Sequence, residues 1–142
     1  MKKVSKYTLT IEEDFDYDLI GLCCHQSDYR LCWALNEQLG LKLAKSEEPF
    51  MVSSKKGDVL SKHSFYEWVD EENYLAYFLI KNKDGIQYLI PEKSQIDYFL
   101  IIKESGQLEI DNLLTQIKGI SAILTAFKYD PAALKSSKNL IL

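Results

Sequence analysis

Apolar and polar positions change period several times along the chain. Tyr7–Ile11 (Tyr-Thr-Leu-Thr-Ile) alternates with period two, which predicts a strand with one buried face. An acidic stretch from Glu12 to Asp18 follows, then a short apolar run over Leu19–Cys24. Between Asp28 and Leu39 the period becomes helical: Leu31, Leu35 and Leu39 recur four apart, with Cys32 and Trp33 beside them. Ser27 stands at the N-cap position, and Asp28 puts a negative charge in the first turn, where the helix dipole favours it. Gly40 stands where a helix-ending glycine belongs. The pattern predicts a helix over 28–39 and a brief strand over Leu41–Ala44. Ser46–Lys62, with Pro49, Gly57 and little periodicity, predicts a mobile loop.

From Ser64 onward Tyr, Phe, Ile and Trp dominate. Ser64–Val69, Tyr74–Lys81, Ile86–Ile90 and Ile96–Lys103 read as four strands of an antiparallel meander, with Asp84-Gly85 as a hairpin turn. Tyr74, Ala76, Phe78 and Ile80 share one face of their strand, and Leu75, Tyr77 and Leu79 share the other. Ile96, Tyr98, Leu100 and Ile102 likewise oppose Phe99 and Ile101. Both faces are apolar, so these strands need cover on two sides. The spacing of apolar residues through Leu108–Phe127 predicts a long amphipathic helix, stopped by Pro131. Gly119 inside it costs about 1 kcal/mol relative to Ala and so marks a close contact.

The fold expected is α+β, one domain over residues 1–142. It has an antiparallel sheet of four to six strands, a long C-terminal helix packed on one face and a shorter N-terminal helix nearby. Residues 131–142 are expected as a mobile tail. One helix is only about 10–12 Å wide, which leaves Tyr66, Trp68, Tyr77 and Phe99 without an evident lid. A homodimer closing that face is one expectation. The other is that Ser46–Lys62 or Ala132–Leu142 folds over it within one chain.

Composition narrows the class. With 46% apolar and 12% aromatic residues in 142, the chain has enough apolar surface to fold as a globular domain rather than remain disordered. The net charge of −4 lacks the basic excess that phosphate neutralisation requires, so nucleic acid is disfavoured; Lys55-Lys56 with Lys128, Lys135 and Lys138 would make only a weak patch. No apolar run approaches the ~18–20 residues of a membrane-crossing helix, and no apolar segment follows the charged start Met1-Lys2-Lys3 as in a secretory signal. Three cysteines, two of them adjacent, make a poor disulfide framework and point to reduced thiols in the cytoplasm.

Candidate chemistry is sparse. Cys23-Cys24-His25 with Cys32 and His63 lacks the paired spacing of a zinc site, and adjacent strand residues face apart. Asp14-Phe15-Asp16-Tyr17-Asp18 begins like a calcium loop, but Leu19 and His25 stand where that loop needs Gly and Glu. A Cys–His nucleophile at Cys23 or Cys24 with His25 fails for the same reason as the zinc site. There is no phosphate-binding glycine loop and no nucleophile-elbow motif. No catalytic residue, metal or cofactor is expected. Arg30, Trp33 and Asn36 fall on one side of the predicted helix as a candidate binding set.

One stretch is more specific. Ile90-Pro91-Glu92-Lys93-Ser94-Gln95-Ile96-Asp97-Tyr98 resembles the motif of the IPExxxVDY family of small bacterial proteins, with Ile96 in place of the family's valine. The resemblance implies a family without an established biochemical activity, so it supplies no active site. Physically, Pro91 suits a turn, and Glu92 or Asp97 would bond a backbone amide or a cation. The alternative is that Glu92, Asp97 and Tyr98 line a recognition site. The function expected is a non-catalytic interaction or regulatory module with a protein partner or a second copy. The rival is a small-molecule binder or enzyme with a pocket between the first helix and the sheet, lined by Trp33, Tyr77, Tyr98 and Arg30.

Overall fold

The computed structural model describes residues 16–103 and 108–140. The strand expected at Tyr7–Ile11 and most of the acidic stretch lie outside the described residues. The apolar run becomes strand β1 (Tyr17–Cys23), followed by helix α1 (Asp28–Leu39). That helix starts and stops where its end residues require. The Ser27 side chain accepts from the Arg30 N–H, and Gly40 takes the left-handed conformation at φ 69°, its N–H donating to the Asn36 carbonyl. Strands β2 (Ala44–Lys45), β3 (Phe50–Ser53), β4 (Val59–His63), β5 (Phe65–Asp70), β6 (Leu75–Lys81), β7 (Lys83–Asp84), β8 (Gln87–Tyr88) and β9 (Tyr98–Lys103) come next. Helix α2 (Ile110–Lys118) and strand β10 (Thr125–Tyr129) complete the order.

Six strands form one antiparallel sheet in the order β10-β1-β9-β6-β5-β2. Its centre sets the faces. In β6, Leu75, Tyr77 and Leu79 join one core cluster, while Phe78 and Ile80 belong to the other. In β9, Tyr98, Leu100 and Ile102 oppose Phe99 and Ile101 in the same way. The two-sided cover read from the alternation is present. Both helices share the first face, through Leu31 and Leu35 of α1 and Ile110, Leu113 and Ile117 of α2.

Several expectations are corrected. The long C-terminal helix over Leu108–Phe127 is absent: α2 has nine residues and is shorter than α1. Tight i→i+3 bonds unwind it, from Gly119 N–H to the Gln116 carbonyl, Ile120 to Ile117 and Ile123 to Ile120. The Leu124 N–H then bonds the Cys23 carbonyl and starts β10 along β1. Ser46–Lys62 is not a loop but holds the β3–β4 hairpin, with Phe50 opposite His63. The third of the expected meander strands, Ile86–Ile90, is not in the sheet. The short β7–β8 hairpin stands there instead, turning at Gly85 with φ 59°, and β6 pairs directly with β9.

The second face is covered by the chain itself. Val52 and Phe50 of the hairpin, Leu89 and Ile90 after β8, and Leu134 and Leu140 beyond β10 pack with Phe99 and Ile101. Tyr66, Tyr77 and Phe99 are buried and Trp68 is half-buried, stacked on the Tyr77 ring, so the open patch expected around these four residues does not exist. The dimer argument built on that patch falls with it. Among the described residues no helix is long and apolar enough to cross a membrane.

Candidate functional site

The nine-residue motif folds as a short 3₁₀ turn (Pro91–Lys93) leading into β9, and the side chains of Glu92, Lys93, Asp97 and Tyr98 each contact another part of the chain. Glu92 accepts from Ser136 twice, from the amide at 2.8 Å and the hydroxyl at 2.7 Å, fastening the C-terminal segment. Partial burial works against ionisation of Glu92, but these Ser136 bonds prevail and hold its carboxyl below the ordinary value. Asp97 Oδ2 accepts from the Cys24 N–H at 2.9 Å. The Tyr98 hydroxyl donates to the Gln26 carbonyl at 2.9 Å, and burial, followed by the Asp28 charge, raises its pKa strongly. Lys93 Nζ lies 5.2 Å from the centre of the Tyr129 ring. The fold-fixing reading of the motif accounts for each of these contacts.

A residue the motif does not contain holds its backbone. Asn82 is fully buried; its amide donates to the carbonyls of Lys93 at 3.0 Å and Ile96 at 2.8 Å and accepts from the Ile90 N–H at 2.9 Å. Its place in an apparent turn, Asn82-Lys83-Asp84-Gly85, disguised it in the sequence.

Asp97 and Tyr98 act on one target, the loop between β1 and α1. That loop forms one end of a groove of about 900 Å³ lined by Gln26, Ser27, Tyr29, Arg30, Trp33 and Gln38, with Gly119–Ala122 opposite. Tyr29 is 70% exposed and Trp33 60%, both on the outward side of α1. The pocket expected between α1 and the sheet is not formed: Tyr77 and Tyr98 are buried in the core there, while Arg30 and Trp33 face outward. Asn36 is apart from both. Its amide bonds the Leu43 carbonyl and its carbonyl accepts the Leu43 N–H, each at 3.0 Å, so it clamps the chain after α1.

Of the six candidate residues, two line the groove, two brace the loop at its end, and Glu92 and Asn36 do neither. Tyr29 and Gly119–Ala122 were not foreseen. Tyr29, one helical turn before Trp33, was the signal available; the 119–122 wall depended on α2 ending early.

The thiols and histidines are dispersed. Cys24 Sγ accepts from the Gln26 N–H, Cys32 Sγ donates to the Leu43 carbonyl, and all three cysteines are free. His63, fully buried, bonds Ser61 Oγ through Nε2 at 2.7 Å and the Lys81 carbonyl through Nδ1 at 2.8 Å. Ser61 is itself buried, so this pair has no access to a substrate. Among the described residues no group of three or more His, Cys, Asp or Glu side chains is placed to hold a metal ion. Compared with protein-family models, curated proteins and solved structures, the chain matches none.

Proposed function

We propose that this chain is a non-catalytic interaction module of the IPExxxVDY family, working in the cytoplasm, whose contact surface is the outward face of α1 and the groove beside it. One observation carries the reading: Trp33 and Tyr29 stand largely exposed beside Arg30 along a rigid helix. Trp, Tyr and Arg dominate the binding energy of protein interfaces: the aromatics bury a large area at modest entropic cost, and Arg adds a planar fork of hydrogen-bond donors. Trp33 and Tyr29 together make an aromatic pair one helical turn apart on the outward side of α1. The motif serves this surface from behind, through the Asp97–Cys24 and Tyr98–Gln26 bonds that fix the groove's end. The three free thiols accord with a reducing compartment.

The test is affinity purification from native cells of the wild-type chain beside Trp33→Ala and Arg30→Ala, with mass spectrometry of bound proteins and small molecules. A protein recovered with wild type and lost from both variants is the expected result. An identical set of proteins from all three chains would remove the groove from the account. A bound metabolite without a protein would move the function to the small-molecule class.

A further inference from the structure

The outward stripe of α1 carries more than an aromatic anchor. Arg30, Trp33 and Glu37 lie within about 60° of one another around the helix, opposite the buried Leu31 and Leu35. Arg30 and Glu37 are both exposed, one toward the start of the helix and one toward its end, with Trp33 between them. Among the described residues neither charged side chain has a hydrogen-bond or ion-pair partner.

A helix with a cation at one end, an anion at the other and an aromatic in the middle is complementary to itself run backwards. Seven residues separate the two charges, about 10 Å along the axis. When two such helices pack antiparallel about a two-fold axis near Trp33, each Arg30 meets the other copy's Glu37 and the two Trp33 rings meet at the centre. A parallel pair would set Arg30 against Arg30.

We infer that the occupant of this surface is a second copy of the same chain, docked through an antiparallel α1–α1 contact with Trp33 at the two-fold axis and reciprocal Arg30–Glu37 pairs. The inference rests on the interaction-module reading above and names its partner. It is a different dimer from one made across the sheet, whose faces the chain closes by itself. Trp33 supplies the affinity, by burial. The rim charges supply direction, since exposed ion pairs add little energy but like charges set opposite each other select against a wrong arrangement. One three-turn helix with the adjoining groove wall is a contact at the small end of stable interfaces, so the dissociation constant is expected in the micromolar range.

The experiment is sedimentation equilibrium of the full chain between 1 and 200 μM in about 150 mM salt, with circular dichroism to verify that each variant is folded. Wild type is expected to move from one chain mass toward two. Trp33→Asp, Arg30→Glu and Glu37→Arg are each expected to weaken association at least tenfold. The Arg30→Glu and Glu37→Arg chains, each monomeric alone, are expected to associate when mixed in equal amounts. In that mixture both cross-contacts become Glu–Arg pairs, which no general folding defect can produce. A wild-type monomer throughout would overturn the inference, as would a dimer indifferent to Trp33→Asp, or single-charge variants that fail to associate on mixing. A wild-type monomer whose protein partner is still lost with Trp33→Ala would end this proposal and leave the interaction-module reading standing. A wild-type monomer whose recovered proteins are the same with or without Trp33 would end both.

Discussion

Asn82 has no access to solvent, yet every hydrogen-bonding group of its side chain except one lone pair is used, all on the backbone between Ile90 and Ile96. Truncating it would leave the buried Ile90 N–H and Ile96 carbonyl without this partner, while the Lys93 carbonyl keeps the Ile96 N–H. Asn82→Ala is therefore expected to cost about 2–4 kcal/mol, measurable by urea unfolding. A loss below half a kcal/mol would mean that the 3₁₀ turn holds itself. His63 adds a dependence on pH. Burial keeps its imidazole below the ordinary 6.5, outweighing the Lys81 carbonyl and Asp84, which act the other way. The unfolded chain takes up the proton near 6.5 while the folded one resists it. Stability is thus fully present above about 6.5 and declines as pH falls through the depressed folded-state value. Asp28 and Glu92 titrate below their ordinary 3.8 and 4.5, so they do not enter this window. The urea midpoint of the wild type is expected to drop between pH 7 and pH 5, and that of His63→Phe to change less. A wild-type midpoint flat over that range contradicts the assignment.

Among the elements, β1, like β9 and β6, is paired on both edges and packed on both faces. Gly21 at its middle stands in register with Phe99 on one side and Phe127 on the other. A Cβ there would come within 2.6 Å of the Tyr129 ring and 3.1 Å of Ile96. Gly21→Val is expected to destabilise by about 1–3 kcal/mol through overpacking, seen as a lowered thermal midpoint; an unchanged midpoint would show that Tyr129 gives way freely. Helix α1 was legible residue by residue because its signals are local: Ser27 at one end, Gly40 at the other, Leu31 and Leu35 between. Strand β10 was not. Ile120, Ile123, Leu124 and Phe127 fit a helical period, while Thr125, Phe127 and Tyr129 fit period two, and the choice is made by β1, far away in sequence. The β3–β4 hairpin hid for a different reason: Ser61 and His63 of β4 are polar residues that turn inward. The candidate site followed the same division. Arg30 and Trp33 could be read from α1, but the opposite wall of the groove exists only because α2 stops at Lys118. The partners of Asp97, Tyr98 and Asn36 are backbone groups, which no side-chain pattern announces.

At the scale of the molecule, distant parts of the chain meet around one segment. The motif ties the β1–α1 loop, β10 and the C-terminal turns together, and thereby sets the end of the groove. The sheet order adds a consequence of its own, because β1, the first described strand, lies between β9 and β10, two of the last. Contacts so distant in sequence make for slow folding. During synthesis β1 leaves the ribosome roughly a hundred residues before both its neighbours exist, an interval of about 5–20 s at ordinary elongation rates. Throughout it, an apolar strand with Leu19, Ile20 and Leu22 has both edges open to any other strand it meets. A chain stopped after Leu124 has β9 but lacks β10, so one edge of β1 would stay open permanently. It is expected to gather in the insoluble fraction, and a soluble, cooperatively unfolding product of that length would contradict the expectation. The newborn chain is thus expected to carry an unpaired apolar edge until β10 arrives.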